Sequence, residues 1–555
     1  MKKRLAQNTA TPSANVARRV IPIAVGVIAS ALTIVSGDLL DDHFGRITLG
    51  YQWLTYGDRP FRDFFDPGLF GAAAWSAIAF VATGGSLAGE VWFDSIAIGT
   101  GLAITCALAT RATNSSSWGV FAASLSFACG IRLYDFDKVL SYPAGLWACW
   151  HYADRPSTQR AALGGLCIAA AALLRYDTAV YLGAAWAVTL LAVHRTAWRT
   201  LFSSALISVA AGVALAGPVV YWIHSLVGLP EAIDQVLTYA RIERSRSELF
   251  DWAPLLREGS ASEAWFSIMR RGRATGSVYL ALAMLVPLAL ATAWQMRGRF
   301  APGSVASAHR LAAATLLGLL VVFILRDPLP ARLGSVLPIG AVVAACVLGP
   351  TRPSRKSVAM LVAVVACMVA GVVSTAGEID QRLRSTGIDR GPQAFWAATK
   401  WRVSNLASVP PALGLMPGGD RSRNLAWYLR RCTAPTDSVM ITWFGPQIYY
   451  FAQRRFGGGA WAFFGDHWAS TDRQSQVIAR LRQRPPSVVI RDRDREQEFL
   501  SSYPQIADYL NRTYRVGGVT DFDLRQHRQF TILVPAGSDW TSKELVWGLP
   551  CRGRL

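Results

Sequence analysis

The sequence predicts a polytopic α-helical membrane protein with a small α/β domain at its C-terminal end. Three observations lead there. Apolar residues make up 52% of the 555-residue chain and charged residues 17%, against roughly 25% charged in a soluble protein. Twelve apolar runs fill the chain before about residue 376, each a candidate span or part of one. Beyond residue 377 short strand-like and helix-like stretches alternate, which is the pattern of an α/β unit.

Taken in order, residues 1–20 carry Lys2, Lys3, Arg4, Arg18 and Arg19 and read as a cytoplasmic tail. The run Ile21 to Gly37 lacks a convincing A-x-A cleavage site and many more apolar runs follow, so it reads as an uncleaved first span rather than a leader. Further runs lie near Leu69–Leu87, Ile96–Ala109, Trp118–Ile131, Val139–Tyr152, Ala161–Leu174, Ala179–Val193, Leu201–Ile223, Val278–Trp294, Leu311–Leu325, Leu333–Leu348 and Val358–Val373. Lysine and arginine in short loops set orientation. Placing Arg195–Arg199, Arg297–Arg310 and Arg352–Lys356 inside puts loops 38–68 and 225–275, Arg175–Asp177, the Arg326–Arg332 loop and residues 377–555 outside. The two ends of the Leu69–Tyr152 stretch then require an odd number of crossings from four runs, so either one of the two between Leu69 and Ala109 does not cross fully or two runs form a broken helix. The reading is about eleven crossings over residues 21–376, with the N-terminus in and the C-terminal domain out.

Within residues 377–555, Asp437–Trp443, Ser487–Ile490 and Phe530–Val534 read as strands, and Gln474–Arg482 and Glu496–Tyr514 as helices. Gly457-Gly458-Gly459 lacks the Lys-Ser/Thr of a phosphate loop and reads as a turn. Six of the eight cysteines lie in apolar runs as small hydrophobes. Cys432 and Cys551 lie in the polar region, either as a disulfide or as two free thiols. The net charge of +20 is spread along the chain rather than gathered on one face, which argues against nucleic acid and for loops facing anionic membrane lipids.

The chemistry-bearing signal is Asp38-Leu-Leu-Asp41-Asp42-His43-Phe44-Gly45, directly after the first span. Carboxylates at a bilayer edge are costly unless solvated, paired or working. Two adjacent acids could serve as a base, Asp41 first and Asp42 second, with His43, Asp63 and Asp66 as substrate-binding candidates in the same loop. A helix end that is merely capped and solvated is the competing reading. No metal is expected to be required, although Asp41, Asp42 and Asp63 are the acids that would gather a divalent cation.

Asp41-Asp42-His43-Phe44-Gly45, then Gly57-Asp58-Arg59-Pro60 and Phe64-Phe65-Asp66-Pro67-Gly68, resembles the first external loop of the GT-C glycosyltransferases, closest to the protein O-mannosyltransferase and aminoarabinose-transferase-like group. The pair here is Asp-Asp where that group has Asp-Glu, and no lysine stands near Pro67. The resemblance implies transfer of a sugar from a polyprenyl-phosphate carrier to a glycan, lipid or protein acceptor, outside a bacterial inner membrane, with the first-loop acid as base. A phosphate needs cations, and the candidates are Arg132, Lys138, Arg175 (held by Asp177), Arg326 and Arg332. Snorkelling at helix ends is the bland alternative for each. A transporter or flippase for lipid-linked precursors is the second reading of the whole chain. Against it stand acids at one mouth, few mid-span charges and no internal repeat.

Overall fold

The computed structural model describes residues 12–247, 271–299, 305–325, 332–348, 380–418, 420–522 and 529–538, together with a few shorter stretches up to 552. The chain divides into two compact units that interleave in sequence. One holds residues 1–38, 91–218 and 250–399, and the other residues 39–90, 219–249 and 400–555.

The first unit is helical. Its helices include α1 (Pro12–Ser36), most of α4 (Leu87–Thr113), α5 (Ser116–Ala128), α6 (Phe136–Asp154), α7 (Thr158–Leu174), α8 (Tyr176–Val193) and most of α9 (Trp198–Val227), followed by Arg271–Arg299, Val305–Leu325 and Leu333–Leu348. Their shared core is aliphatic and aromatic, with Leu146, Trp150, Trp186, Leu282, Leu317 and Leu337 among its buried members. Close approach depends on small residues, as is usual where lipid gives helices no hydrophobic reason to associate. A Cβ on Gly26 of α1 would stand 2.9 Å from the Gly99 carbonyl oxygen of α4.

α6, α7 and α8 pack on one another through short connections, and the α5–α6 and α7–α8 connections share one end and the α6–α7 and α8–α9 connections the other. At the second end Tyr152 Oη lies 2.6 Å from His194 Nε2 and donates to Ser204 Oγ at 2.8 Å.

Five helices are long and apolar enough to cross a membrane among the described residues: Arg18–Ser36, Leu87–Thr113, Tyr176–Val193, Trp198–Val227 and Val305–Phe323. Four shorter apolar helices accompany them, Phe70–Ala82, Thr158–Leu174, Val278–Trp294 and Leu333–Leu348. The protein is thus a multi-pass membrane protein. Of the eleven expected crossings, the one at Val358–Val373 lies almost wholly outside the described residues. The run after Leu69 becomes α3 (Phe70–Ala82), only 13 residues long. That is about 20 Å of helix, too short for a hydrocarbon core of roughly 30 Å.

The second unit gathers the first loop, a segment around α10 (Leu229–Ser247) and the C-terminal α/β fold. Its sheet has strand order β2-β1-β3-β5-β4, with β1 (Ser438–Ile441), β2 (Arg455–Phe456), β3 (Val488–Asp492), β4 (Tyr514–Asp521) and β5 (Gln529–Pro535). β2, β1 and β3 run parallel, and β5 is antiparallel to both β3 and β4. All five residues of β3 are buried, and Val489 pairs with Met440 and Leu533. The expected Glu496–Tyr514 helix is two, Glu496–Ser502 and Pro504–Thr513. Pro504 breaks it, because the residue before a proline disfavours helical backbone. Cys432 and Cys551 form a disulfide across 119 residues, which resolves the alternatives left by the sequence.

Candidate functional site

In the second unit the acid-bearing loop folds into a helix, α2 (Asp41–Tyr56), with Asp41 and Asp42 in its first turn. Carboxylates there meet the positive end of the helix dipole. Gly57 ends the helix at φ +69°, its amide returning to the Gln52 and Trp53 carbonyls, the turn glycine makes without steric cost. α2 lies along the Pro446–Ala452 helix and is held by side chains that no apolar pattern announces. Thr48 Oγ1 donates to the Pro446 carbonyl (2.8 Å), Gln52 Nε2 to Arg454 (3.0 Å) and Tyr56 Oη to Gln453 (3.0 Å). Asp58 pairs with Arg455.

Asp41 is half-buried and Asp42 exposed. The buried Asp41 Oδ1 has no hydrogen-bond partner among the described residues. Burial raises the Asp41 pKa above the ordinary carboxyl value, the Asp42 charge adds to the rise, and Arg421 opposes it. Arg421 was not legible in the sequence, since it lies 380 positions downstream at the start of the Asp420–Cys432 helix.

His43 sits one position along but faces the other way. It is 0% exposed, with Nε2 2.9 Å from Glu90 Oε1 and 2.8 Å from Arg46 Nη2. Glu90 Oε1 also accepts from Arg46 Nε (3.2 Å) and Ser76 Oγ (2.9 Å). This buried network ties α2 to α3 and the start of α4. Its presence follows from the rule that buried charge must be paired.

Asp63 accepts from the Arg59 amide (2.8 Å) and from Arg62 Nη2 (2.7 Å). Burial would raise its pKa, but these donors hold it below the usual carboxylate value. Asp66 is fully buried and its Oδ1 accepts from the amides of Gly68 and Leu69, both at 2.7 Å, initiating α3. Burial pushes it up to about 7 against those amides. Gln235 of α10 spans this segment, accepting from the Asp66 amide (3.1 Å) and donating to the Phe61 carbonyl (3.0 Å). α10 is in turn ion-paired through Glu231 and Asp234 to Arg473. The Phe65 ring stacks on Trp468 (centroids 4.7 Å apart) under the Arg480 guanidinium (4.5 Å), and its amide donates to Gly459 (2.9 Å). The Gly457–Gly459 turn is thus the seat of the first loop. Gly458 and Gly459 lie at φ +73° and +70°, and a Cβ on Gly459 would run into the Asp63 carbonyl oxygen.

The other candidates gather in the helical unit, at the end shared by the α5–α6 and α7–α8 connections. Arg132 Nε (3.2 Å) and Lys138 Nζ (3.3 Å) both reach the fully buried Asp135, and both cations stand over the Tyr134 ring, at 5.5 and 5.9 Å. Arg175 Nε pairs with Asp177 Oδ1 at 2.8 Å. Arg175 is within electrostatic reach of Tyr134 and Asp137, and Asp177 of Lys138. Arg132, Lys138, Arg175 and Asp177 therefore share one cluster. Arg332 stands over the Phe323 ring (5.7 Å). Arg326, and residues 248–270 of the 225–275 loop, lie outside the described residues.

Among solved structures the chain is similar to ArnT from Cupriavidus metallidurans bound to undecaprenyl phosphate, with TM-score 0.50 and 13% identity over 92% of this chain and 97% of that one. It also matches the apo state of the same protein (TM-score 0.47, 14% identity, 94% and 98% covered). A third match is the archaeal oligosaccharyltransferase AglB from Archaeoglobus fulgidus in complex with an inhibitory peptide and a dolichol-phosphate (TM-score 0.43, 12% identity, 96% and 75% covered). The first of these carries the fold assignment, an overall fold shared with that membrane protein. No protein-family model matches, and no curated protein does.

Proposed function

We propose that the chain is a membrane glycosyltransferase that moves a sugar from a polyprenyl-phosphate carrier to an envelope glycan, lipid or protein acceptor on the extracytoplasmic face of a bacterial inner membrane. The observation that carries this is Asp41. It is a half-buried carboxylate with one oxygen unspent and a raised pKa, at the head of a helix whose His43, Arg46, Thr48 and Gln52 side chains are buried in packing. Such a group suits proton abstraction near neutral pH. Asp41 takes the proton of the acceptor hydroxyl, the freed oxygen attacks the anomeric carbon, and the carbon–oxygen bond to phosphate breaks with its electron pair on the leaving polyprenyl phosphate.

Asp42 keeps the Asp41 pKa high, and Asp63 and Asp66 shape the loop that carries it. His43 orients α2 from within. Arg132, Lys138, Arg175 and Arg332 supply the cations for the donor phosphate, with Asp177 steadying Arg175. The cytoplasmic N-terminus and external C-terminal domain follow the distribution of basic loops, and the Cys432–Cys551 disulfide fits an oxidising compartment.

The test is transfer from a panel of polyprenyl-phosphate sugars by the full-length protein, with Asp41→Asn and Asp41→Ala inserted at normal levels. Transfer by the unmodified chain and its loss in both variants is expected. Full transfer in both variants removes Asp41 as base. No transfer by the unmodified chain on any donor would favour a transporter.

A further inference from the structure

The helical unit contains a buried carboxylate that the reaction outlined above does not use. Asp135 is 0% exposed and closes the short 3-10 turn Leu133–Asp135 that leads directly into α6. Its two oxygens are divided between two cations, Oδ2 toward Arg132 Nε and Oδ1 toward Lys138 Nζ. Arg132 and Lys138 retain 15% and 12% side-chain exposure. The arrangement is therefore a sealed anion holding two partly open cations, with the Tyr134 face beneath both. One carboxylate cannot neutralise two cations, so the triad keeps one unit of positive charge.

The surroundings set the character of that charge. Asp137 spends Oδ1 on the Lys138 amide (2.9 Å), and Arg175 is matched by Asp177. Counted over Arg132, Lys138, Arg175, Asp135, Asp137 and Asp177, the formal charges balance, and Arg382, which donates to the Ile131 carbonyl (3.0 Å), adds a cation beside them. An anion there is held by directed donors, and donors on flexible arginine and lysine side chains are useful only when their rotamers are fixed beforehand.

We infer that Asp135 is a positioning residue for the phosphodiester of the donor, fixing Arg132 and Lys138 so that their remaining N–H groups converge on it. This rests on the donor class proposed above. Asp135 touches neither sugar nor phosphate and acts through the two cations. Its loss should therefore appear in donor binding and leave the chemical step alone.

The experiment uses the full-length chain in lipid nanodiscs, wild type beside Asp135→Asn, Asp135→Glu and Arg132→Lys. Donor KM and kcat are measured, together with the thermal shift produced by undecaprenyl phosphate. Asp135→Asn is expected to raise donor KM about tenfold, to keep kcat within about twofold, and to lose most of the undecaprenyl phosphate shift; Asp135→Glu should recover part of each. Arg132→Lys, which keeps the charge but loses the planar fork, should raise donor KM about fivefold even if Asp135→Asn fails to fold. Unchanged donor KM in a folded Asp135→Asn or Arg132→Lys, or a kcat loss at constant KM, overturns the inference while wild-type transfer keeps the proposed function standing. A wild type that neither transfers nor shifts with undecaprenyl phosphate overturns both.

Discussion

Replacing Asp41 by Asn probes the proposed chemistry with little structural disturbance, because Asn has nearly the same shape and the replaced Oδ1 has no hydrogen bond to lose. Two small stability effects oppose each other. Removing the carboxylate forfeits a favourable helix-dipole interaction of about 0.3–1 kcal/mol, while it also removes a partly desolvated charge beside the like charge of Asp42. The variant should therefore unfold within about 1 kcal/mol of wild type. Activity should behave differently. A positioned general base contributes about 100- to 10,000-fold, which is about 3–5 kcal/mol of barrier.

The pH profile adds a second axis. The base works ionised, so kcat/KM should fall on the acid side as Asp41 protonates, at a pH above the ordinary carboxyl value because its pKa is raised. Asp42→Asn removes a raising charge and should move that acid limb to lower pH. Arg421→Gln removes a lowering charge and should move it to higher pH. The assay is initial-rate transfer from a polyprenyl-phosphate sugar across pH 4–9, with thermal unfolding in parallel. An Asp41→Asn protein with more than about a third of wild-type activity, or acid limbs that move together in Asp42→Asn and Arg421→Gln, would refute the assignment of Asp41 as base.

Three further outcomes are expected. Asp66 has a folded pKa of about 7 against an unfolded value of 3.8, so its neutral form stabilises the fold below pH 4 and that contribution is lost as pH rises toward and through 7; the swing is up to about 4 kcal/mol. Asp66→Asn, which keeps the oxygen that caps Gly68 and Leu69, should flatten stability across that window in chemical denaturation at stepped pH. Gly459→Ala meets both a left-handed backbone and the Asp63 carbonyl, and should cost about 2 kcal/mol or more in thermal unfolding. Cys551→Ser opens a covalent loop of 119 residues, and should lower the stability of the sheet-bearing unit by about 2–5 kcal/mol, read by limited proteolysis.

The parts of the fold legible in the sequence were those written in local patterns. The apolar runs gave the helices, and Ser487–Ile490 and Phe530–Val534 gave two central strands because both are continuous β-branched and aliphatic stretches. β2 was missed because two residues, Arg455 and Phe456, carry no periodicity, and β4 because Gly517 and Gly518 interrupt it at a bulge. Among the site candidates, Arg132 with Lys138 and Arg175 with Asp177 were legible as charge recurring at interhelical connections. Arg421, Gln235 and Arg473 were not, since each meets the first loop or α10 only through tertiary contacts 169 or more residues away.

The interleaved second unit has a consequence in time. Residues 39–90 leave the ribosome about 310 residues before the segment beginning at Lys400, an interval of roughly 15–60 s at ordinary synthesis rates. During it Phe64 and Phe65 have neither Phe456 nor Trp468 to cover them. Biogenesis must shelter those rings until the last third of the polypeptide arrives, and a premature stop before Phe456 would leave both without their ring partners.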